Sequence, residues 1–253
     1  MNDAKHFSQS FIDLILQKVE ALQAATPGPH YAAFDADGTL WDNDVGENFF
    51  QFQIDHCNLK GLKNLDPWSH YEALKKKHPP DAYLWLAQLC ADHSLDEVRA
   101  WSKKAVELSP PNVFPSQQQL IHALLKRNIQ IYVVSASVHW AVEGALSAVG
   151  LRPENALGVK TKIVNDLVTM DADGPVTWRE GKRKALLEKT HGVLPLLCSG
   201  NTSGDIHLLE CSQGVALAVQ SQTVNTKHKK LYDDEQVLFD LSKKNGWLTH
   251  AFK

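Results

Sequence analysis

The chain has 253 residues, of which 43% are hydrophobic and 22% are charged, and its formal net charge is −3. This composition excludes an intrinsically disordered chain, which would have fewer apolar residues and a larger net charge. The 26 basic and 29 acidic side chains nearly balance, so no general field attracts nucleic acid or an anionic membrane, and the length allows one large domain or two small ones.

The N-terminal stretch is predicted to form a helix that packs on the core. Its apolar residues recur at helical spacing, and it lacks the layout of a signal peptide. No apolar run approaches the roughly 20 residues that a membrane span needs. We therefore expect a cytoplasmic protein with no membrane partner. The residues of the predicted buried face are Phe11, Leu14, Ile15, Val19 and Leu22.

The four cysteines are far apart in sequence and form no CxxC pair. This spacing indicates neither a zinc site nor a disulfide framework. We expect reduced and mostly buried thiols, which agrees with a cytoplasmic location. The cysteines are Cys57, Cys90, Cys198 and Cys211.

Four short apolar runs are predicted to be strands of one parallel sheet. They cover roughly 30–35, 128–135, 193–199 and 214–219, and helical stretches precede the last three. Short apolar strands that alternate with amphipathic helices indicate βαβ units. A fifth segment, 159–174, contains two β-like runs that meet at Asn165 and Asp166, and we expect it to form a hairpin.

Residues 45–129 show no strand signal and are predicted to be a helical insertion. Asp66 and Ser94 lie where helix N-caps are expected. The predicted division is therefore a core of 1–44 and 130–253 and an inserted domain of 45–129. The insertion could simply decorate a sheet edge. We favour a lid, because ligands of open α/β sheets bind at the carboxyl ends of the strands.

Polar side chains follow the first two predicted strands. Asp35 and Asp37 come at the end of the first strand, in a tight turn opened by Gly38. In such a turn a carboxylate and a neighbouring carbonyl can share a cation, and Mg²⁺ prefers oxygen ligands. The second strand ends at Ser135, whose hydroxyl and the N–H groups from Ala136 onward could hold a phosphate ahead of the next helix, predicted over 138–149.

The third predicted strand leads into a glycine-containing loop, 199–205, that carries two further oxygen ligands, Asn201 and Asp205. Lys182 begins the helix that precedes this strand. Each feature alone is weak, since a lone lysine is usually a surface residue. Their joint occurrence at strand ends and helix starts indicates a single active site.

The motifs together resemble those of the haloacid dehalogenase superfamily, specifically its phosphatases. Asp35-Ala36-Asp37-Gly38-Thr39-Leu40 resembles the DxDGT(L/V) signature, and GNTSGD at 200–205 resembles a variant of the fourth motif, GDxxxD. Ser135 matches the second motif and Lys182 the third. The helical insertion resembles the type 1 cap of phosphoserine-phosphatase-like members. The resemblance covers roughly 30–220 and implies an α/β fold, a Rossmann-like doubly wound parallel sheet core with an inserted all-helical cap domain.

The resemblance implies a Mg²⁺-dependent phosphomonoesterase that acts on a small phosphorylated metabolite through an aspartyl-phosphate. Asp35 would attack phosphorus, and Asp37 would act as general acid and then as general base. Ser135 would bind phosphoryl oxygens, and Lys182 would screen the charge between nucleophile and phosphoryl group. Dehalogenases of the superfamily lack an acid at the position of Asp37, which disfavours a carbon–halogen substrate.

The same resemblance implies residues that hold phosphate and metal. Backbone amides at Gly38, Thr39 and Ala136 would bind phosphoryl oxygens. Asn201 replaces the usual acid of the fourth motif, and its neutral oxygen supplies no charge. We therefore expect a lower metal affinity with activity retained. The implied Mg²⁺ ligands are Asp35, Asp37 through its backbone carbonyl, Asn201 and Asp205.

Acidic residues after the first motif suggest the charge of the substrate. Asp44 best matches the position at which phosphoserine-phosphatase-like members engage a substrate amine. The predicted helices of the insertion include Arg99, for which we expect a helix-surface pair with Asp96. The region is also rich in aromatic residues, which can contact a cation. We therefore favour a phosphomonoester with a positive group, such as phosphocholine or phosphoethanolamine, over phosphoserine.

Two other functions are compatible with the same motifs. A phosphotransferase or mutase would share every motif and pass the phosphoryl group to an alcohol instead of water. A catalytically weak phosphate-binding domain is suggested only by Asn201. In each case the partner is a small-molecule phosphomonoester, with no nucleic acid, and the sequence predicts no oligomeric state.

Overall fold

A computed structural model describes residues 6–221 and 229–252 of the chain. Its main sheet consists of β1 (Tyr31–Phe34), β2 (Gln130–Val138), β3 (Ala156–Val159), β6 (Leu197–Gly200), β7 (Val215–Gln220) and β8 (Leu248–Ala251). The spatial order is β3-β2-β1-β6-β7-β8, and every neighbouring pair is parallel. The predicted parallel α/β fold is confirmed. The four predicted strands are β1, β2, β6 and β7, whereas β3 and β8 were not predicted.

Helices flank the sheet and also form the insertion. They are α1 (Gln9–Ala25), α2 (Val45–His56), α3 (Pro67–Lys77), α4 (Pro79–Gln88), α5 (Leu95–Leu108), α6 (Pro115–Leu125), α7 (His139–Ala145), α8 (Glu180–Lys189), α9 (Ile206–Leu209) and α10 (Lys229–Lys244). The predicted caps are present, because the side chains of Asp66 and Ser94 accept from the backbone of the first turns of α3 and α5. The helix predicted over 138–149 is shorter, since α7 gives way to a 3₁₀ turn at Leu146.

The helices α2 to α5 share an apolar cluster of their own. Phe49, Phe50, Tyr71, Leu86 and Val98 are buried in it. This cluster extends to residues at the carboxyl ends of the strands and at the start of α7. The insertion therefore packs directly over that edge of the sheet. Burial of such apolar area stabilises the insertion without help from a ligand.

The helix α6 packs differently from the rest of the predicted insertion. Leu120, Ile121 and Leu124 are fully buried among the side chains of the main sheet. The division at 44/45 and 129/130 stays a prediction. The packing of α6 nevertheless favours the core side, because its apolar face lies against β-strand residues such as Ile131.

The segment 159–174 forms the predicted hairpin. Its strands are β4 (Thr161–Val164) and β5 (Leu167–Ala172), which pair antiparallel. Asn165 and Asp166 both have positive φ, 51° and 63°, as the central residues of a type I′ turn require. The backbone of the hairpin bonds to the loop between α4 and α5, which braces the insertion.

The N-terminal helix and the cysteines largely match the predictions. In α1 the residues Ile12, Ile15 and Val19 are buried, but Leu14 is 39% exposed because it lies on the opposite edge of the helix. All four cysteines are free, and three are buried. Within the part of the chain that the structure describes, no helix is both long enough and apolar enough to span a bilayer.

The described C-terminal residues complete the edge of the sheet. Strand β8 pairs with β7, and Phe252 follows it into the core. The ring of Phe252 stacks on Phe114, with centroids 4.2 Å apart, and lies 5.4 Å from the ring of Phe7. The sequence predicts no role for this segment, because it contains no recognised motif.

Candidate active site

The turn after β1 positions two carboxylates at the carboxyl edge of the sheet. The N–H of Asp35 donates to the carbonyl of Ser199, at 2.8 Å, which continues the pairing with β6. Three residues later the chain reverses at Gly38, whose φ is +77°. Such a φ favours glycine, and any Cβ there would lie 2.1 Å from the side chain of Asn201.

Asp35, Lys182 and Asp205 form a buried ion cluster. The Nζ of Lys182, near the start of α8, lies 2.5 Å from Asp35 Oδ1 and 2.5 Å from Asp205 Oδ1. All three side chains are nearly inaccessible to solvent. Burial and the neighbouring Asp205 raise the pKa of Asp35 to about 7, against the opposing charge of Lys182. A cation brought to this cluster would therefore favour the carboxylate form of Asp35.

Both carboxylate oxygens of Asp37 accept hydrogen bonds, which hold the side chain in place. Oδ1 accepts from the Trp41 indole at 2.8 Å and from the N–H of Val45 at 2.9 Å. Oδ2 accepts from the hydroxyl of Ser137 at 2.7 Å, and the hydroxyl of Ser135 lies 3.5 Å away. Burial raises the pKa of Asp37, although these hydrogen bonds oppose the shift. The arrangement holds the carboxyl group of Asp37 in one position.

Ser135 lies at the predicted position near the end of β2, and Ala136 follows it on the cavity wall. The hydroxyl of Ser135 accepts from the N–H of Ser137 at 3.0 Å. Ser137 itself was not predicted, since the family motif provides only one serine at this place. Its contact with Asp37 makes it part of the site.

Gly38 and Thr39, predicted to bind phosphoryl oxygens, have other hydrogen-bond partners in the structure. Their N–H groups donate inside the turn, to the carbonyls of Trp41 at 2.8 Å and Ala36 at 3.1 Å. Neither residue belongs to the described lining of the cavity. Thr39 instead donates its hydroxyl to Asp35 Oδ2, at 2.9 Å, so it holds that carboxylate in place.

The loop after β6 is organised by Asp205. Its Oδ2 accepts from the N–H groups of Asn201 and Thr202, at 3.1 and 3.0 Å, while Oδ1 contacts Lys182. Gly200 is required for this approach, since a Cβ there would lie 2.5 Å from that of Asp205. The loop therefore fixes Asn201 and Asp205 beside Asp35.

One buried residue of the site was not predicted at all. Glu235, in α10, accepts from Asn201 Nδ2 at 2.9 Å and is fully buried. The spacing in the sequence could have indicated that Glu235 is buried. Glu235 precedes Leu238, which is buried, by three positions, so both lie on the same face of the helix. A charged residue on an apolar helix face indicates a specific partner.

The oxygen atoms at this edge of the sheet are suitable ligands for a magnesium ion. In the described ranges, no group of three or more histidine, cysteine, aspartate or glutamate side chains is arranged to hold a metal. The carboxylates of Asp35 and Asp205 both lie at this edge. The hydroxyl of Thr39 donates to Asp35 and lies 3.3 Å from Asn201 Oδ1. Mg²⁺ takes oxygen ligands and commonly binds proteins through one or two carboxylates, which agrees with this set.

A cavity of about 820 Å³ lies between the sheet edge and the insertion. Asp35, Asp37, Ser135 and Lys182 lie at one end. The insertion and the segment before α8 also supply acidic and aromatic groups to the lining: Asp44, Glu47, Tyr71, Glu72, Tyr83 and Trp178. The lining also includes Lys75 and Arg179.

The cations in this part of the cavity have partners. Lys75 Nζ lies 3.3 Å from Glu47 and 4.9 Å from the ring centroid of Tyr71. The guanidinium of Arg179 lies 4.4 Å from the ring centroid of Trp178. These contacts partly neutralise Glu47, so Asp44 and Glu72 carry the remaining acidic character of the cap side.

Asp44 lines the cavity as predicted and also has a structural task. Its side chain accepts from the N–H of Glu47, at 2.8 Å, and so caps α2. Burial, with Asp37 and Glu47 nearby, raises its pKa well above the usual range. Arg99 lies outside the described cavity lining and forms an ion pair, but with Glu143 at 2.8 Å instead of Asp96.

Comparisons with known proteins agree with the motifs. The family model of haloacid dehalogenase-like hydrolases matches residues 32–210. A phosphorylcholine phosphatase of Pseudomonas aeruginosa is 25% identical over 241 residues, covering 68% of each protein.

Solved structures share the fold at lower identity. A protein of unknown function from Bordetella pertussis has a TM-score of 0.69 at 17% identity, over 90% of this chain and all of that one. A phospho-aspartyl intermediate analogue of phosphoserine phosphatase has a TM-score of 0.53 at 17% identity, over 90% of this chain and 95% of that one.

Proposed function

The chain belongs to the haloacid dehalogenase-like hydrolases, and on this basis we propose that it is a Mg²⁺-dependent phosphatase acting on small phosphomonoesters. One observation carries the proposal. The buried cluster of Asp35, Lys182 and Asp205 adjoins a second held carboxyl, Asp37, at one end of a cavity large enough for a small metabolite.

In the first step Asp35 is the nucleophile. A carboxylate oxygen of Asp35 forms a bond to phosphorus while the bond between phosphorus and the ester oxygen breaks. Asp37, protonated at the outset, gives its proton to the leaving oxygen, which departs as the alcohol. Trp41 and Val45 hold the carboxyl group of Asp37 in place for this transfer.

In the second step Asp37 acts as a base. It takes a proton from a water molecule as the water oxygen attacks phosphorus, and the bond to Asp35 breaks to release phosphate. Lys182 and Ser135 are the groups of this chain suited to bind the phosphoryl oxygens, through charge and through a hydroxyl donor. Bound Mg²⁺, held by Asp35, Asn201 and Asp205, would neutralise charge on the phosphoryl group.

The test is an assay of the purified full chain with p-nitrophenyl phosphate, with Mg²⁺ or with EDTA. We expect phosphate release that requires Mg²⁺. Beryllium fluoride with Mg²⁺ should raise the melting temperature, because it mimics the phosphorylated aspartate and binds the folded state. Absence of both effects would favour a phosphate-binding domain, and transfer to added alcohols in preference to water would favour a phosphotransferase.

We further propose that the alcohol part of the substrate carries a net positive charge, as choline and ethanolamine do and the zwitterionic serine does not. Asp44 and Glu72 face the cavity beside the rings of Tyr71 and Tyr83, and such rings attract a cation. The relative from Pseudomonas aeruginosa, a phosphorylcholine phosphatase, supports a substrate of this kind.

The substrate is tested by kcat/KM for phosphocholine, phosphoethanolamine and phosphoserine, with wild type and Asp44→Asn. Asparagine caps a helix as well as aspartate does, so this change removes the charge without removing the cap. We expect the cationic substrates to be preferred by wild type and to lose that preference in the variant. The matched control is Asp66→Asn, a cap residue of α3 that does not line the described cavity. Phosphoserine as the best substrate would contradict this proposal and leave the phosphatase assignment standing.

A further inference from the structure

Glu235 lies directly behind the neutral residue of the fourth motif. Its Oε1 accepts three hydrogen bonds: from Asn201 Nδ2 at 2.9 Å, from the N–H of Ser221 at 3.2 Å and from the hydroxyl of Ser221 at 2.5 Å. The side chain is fully buried, and Asn201 is 2% exposed. A buried carboxylate with several donors is held in one conformation, because each bond offsets its loss of hydration.

The carboxylate determines which way the amide of Asn201 faces. An ionised carboxylate only accepts hydrogen bonds, so the NH₂ group of Asn201 must face Glu235 and the amide oxygen must face away. On the other side, Asn201 Oδ1 lies 3.3 Å from the hydroxyl of Thr39, which itself bonds Asp35. The oxygen therefore points toward the carboxylate of the first motif.

We propose that Glu235 is a positioning residue for metal binding, because its hydrogen bond fixes the Asn201 amide with the oxygen directed at the Mg²⁺ site. This inference rests on the proposed function. It explains how the chain retains an oxygen ligand where the related motif has an acid. An amide, unlike a carboxylate, has only one oxygen, so its orientation must be set by a partner.

The inference changes what is expected of a substitution at position 201. From the motif alone, Asn201→Asp should strengthen Mg²⁺ binding by adding a charge. In the structure that variant would replace the donor Asn201 Nδ2 by an acceptor that faces the carboxylate of Glu235. We expect Asn201→Asp to lower the melting temperature of the metal-free protein, and the double variant Asn201→Asp with Glu235→Gln to restore it in part, since the glutamine NH₂ can donate to the new carboxylate but cannot accept from the N–H of Ser221.

Two variants at Glu235 separate orientation from charge. Glu235→Gln keeps an oxygen that can accept from Asn201, whereas Glu235→Leu removes the acceptor at similar volume. Side-chain NMR of asparagine-labelled, metal-free protein reports the bond directly, with the Asn201 signal assigned by its loss in Asn201→Asp. We expect protection of the Asn201 NH₂ from solvent exchange in wild type and Glu235→Gln, and its loss in Glu235→Leu.

Calorimetric titration with Mg²⁺ alone gives the second readout. Loss of an outer partner of a metal ligand weakens binding by about 10–100-fold, which we expect for Glu235→Leu, and Glu235→Gln should stay close to wild type. Unchanged Mg²⁺ affinity in Glu235→Leu would overturn the inference. So would a Glu235→Gln variant that loses either protection or affinity, and this second variant serves if the leucine variant does not fold. Wild type that shows the protected amide but does not bind Mg²⁺ would refute the proposed function and, with it, the metal role of Glu235.

Discussion

At the scale of single residues, the catalytic role of Asp37 can be tested separately from its structural role. Asp37→Asn can keep Oδ1 for Trp41 and Val45, and its NH₂ can donate to Ser137, whose hydroxyl can turn. We expect an unchanged melting temperature with kcat lower by about 10²–10⁴, the usual contribution of general acid–base catalysis. Asp35→Asn should remove turnover further, because the nucleophile is lost. Near wild-type kcat in either purified variant would contradict the proposed roles.

Gly38 offers a second test at this scale, with a matched control elsewhere in the chain. Gly38 and Gly174 have similar φ values, +77° and +86°, but only at Gly38 would a Cβ meet another residue, 2.1 Å from Asn201 Nδ2. Gly174→Ala should cost about 1 kcal/mol from backbone strain alone. Gly38→Ala should cost about 1–3 kcal/mol more, through crowding.

Chemical denaturation of the metal-free variants measures both costs. The Gly38→Ala protein should also bind Mg²⁺ more weakly, since the displaced side chain is a proposed ligand. Equal losses of stability in the two variants would mean that the turn accommodates the added Cβ without moving Asn201.

At the scale of elements, two of the four predicted strands, β1 and β7, share one property. Strands β1 and β7 are buried along their whole length, so each forms a continuous apolar run that the sequence displays. Strand β8 is half-buried at all four positions because it lies at the sheet edge. Strand β3 has only four residues and follows a short turn. Neither has a local pattern that distinguishes it from a loop.

The same reasoning divides the site residues. Asp35 and Ser135 could be predicted because each ends a recognisable apolar run, and Asp205 because it lies in the loop after another. Glu235 could not, since its contact with Asn201 depends on where α10 packs, and no local pattern specifies that packing. Gly38 and Thr39 as phosphate ligands stay a prediction, and no local pattern could have indicated that their N–H groups donate inside the turn.

The edge formed by β8 gives a prediction for the last described residues. Phe252 is 2% exposed and stacks on Phe114. Phe252→Ala should lower the free energy of unfolding by about 3–5 kcal/mol, as expected for a buried aromatic residue. Phe252→Leu should lose less because it leaves a smaller cavity. Urea denaturation measures both, and a loss under about 1 kcal/mol for alanine would show that this edge is not part of the cooperative core.

At the scale of the whole molecule, His139 links stability to pH. It begins α7, and its Nδ1 accepts from the N–H of Gly158 in β3 at 3.3 Å. Burial, with Lys160 and Arg99 nearby, lowers its pKa to about 4 from 6.5. The unfolded chain therefore binds the proton first as pH falls, and stability declines from about pH 6.5 down to about pH 4.

The variant His139→Asn isolates this contribution, because its side-chain oxygen can replace Nδ1 as the acceptor. Between pH 7 and pH 4 wild type should lose at most about 3 kcal/mol more than the variant. The measurement is urea denaturation at several pH values. Parallel pH profiles for the two proteins would show that His139 becomes protonated without cost to the fold.

The position of β1 in the middle of the sheet has a consequence for biosynthesis. Ala32 pairs on one side with Ile131 and on the other with Leu197, both far along the chain. A ribosome therefore makes β1 early and leaves this apolar strand with two open edges while the whole helical insertion is added. Pairings over such separations form slowly and expose the nascent chain to aggregation. Asp35, the proposed nucleophile, is thus synthesised well before Lys182 and Asp205, which complete its surroundings.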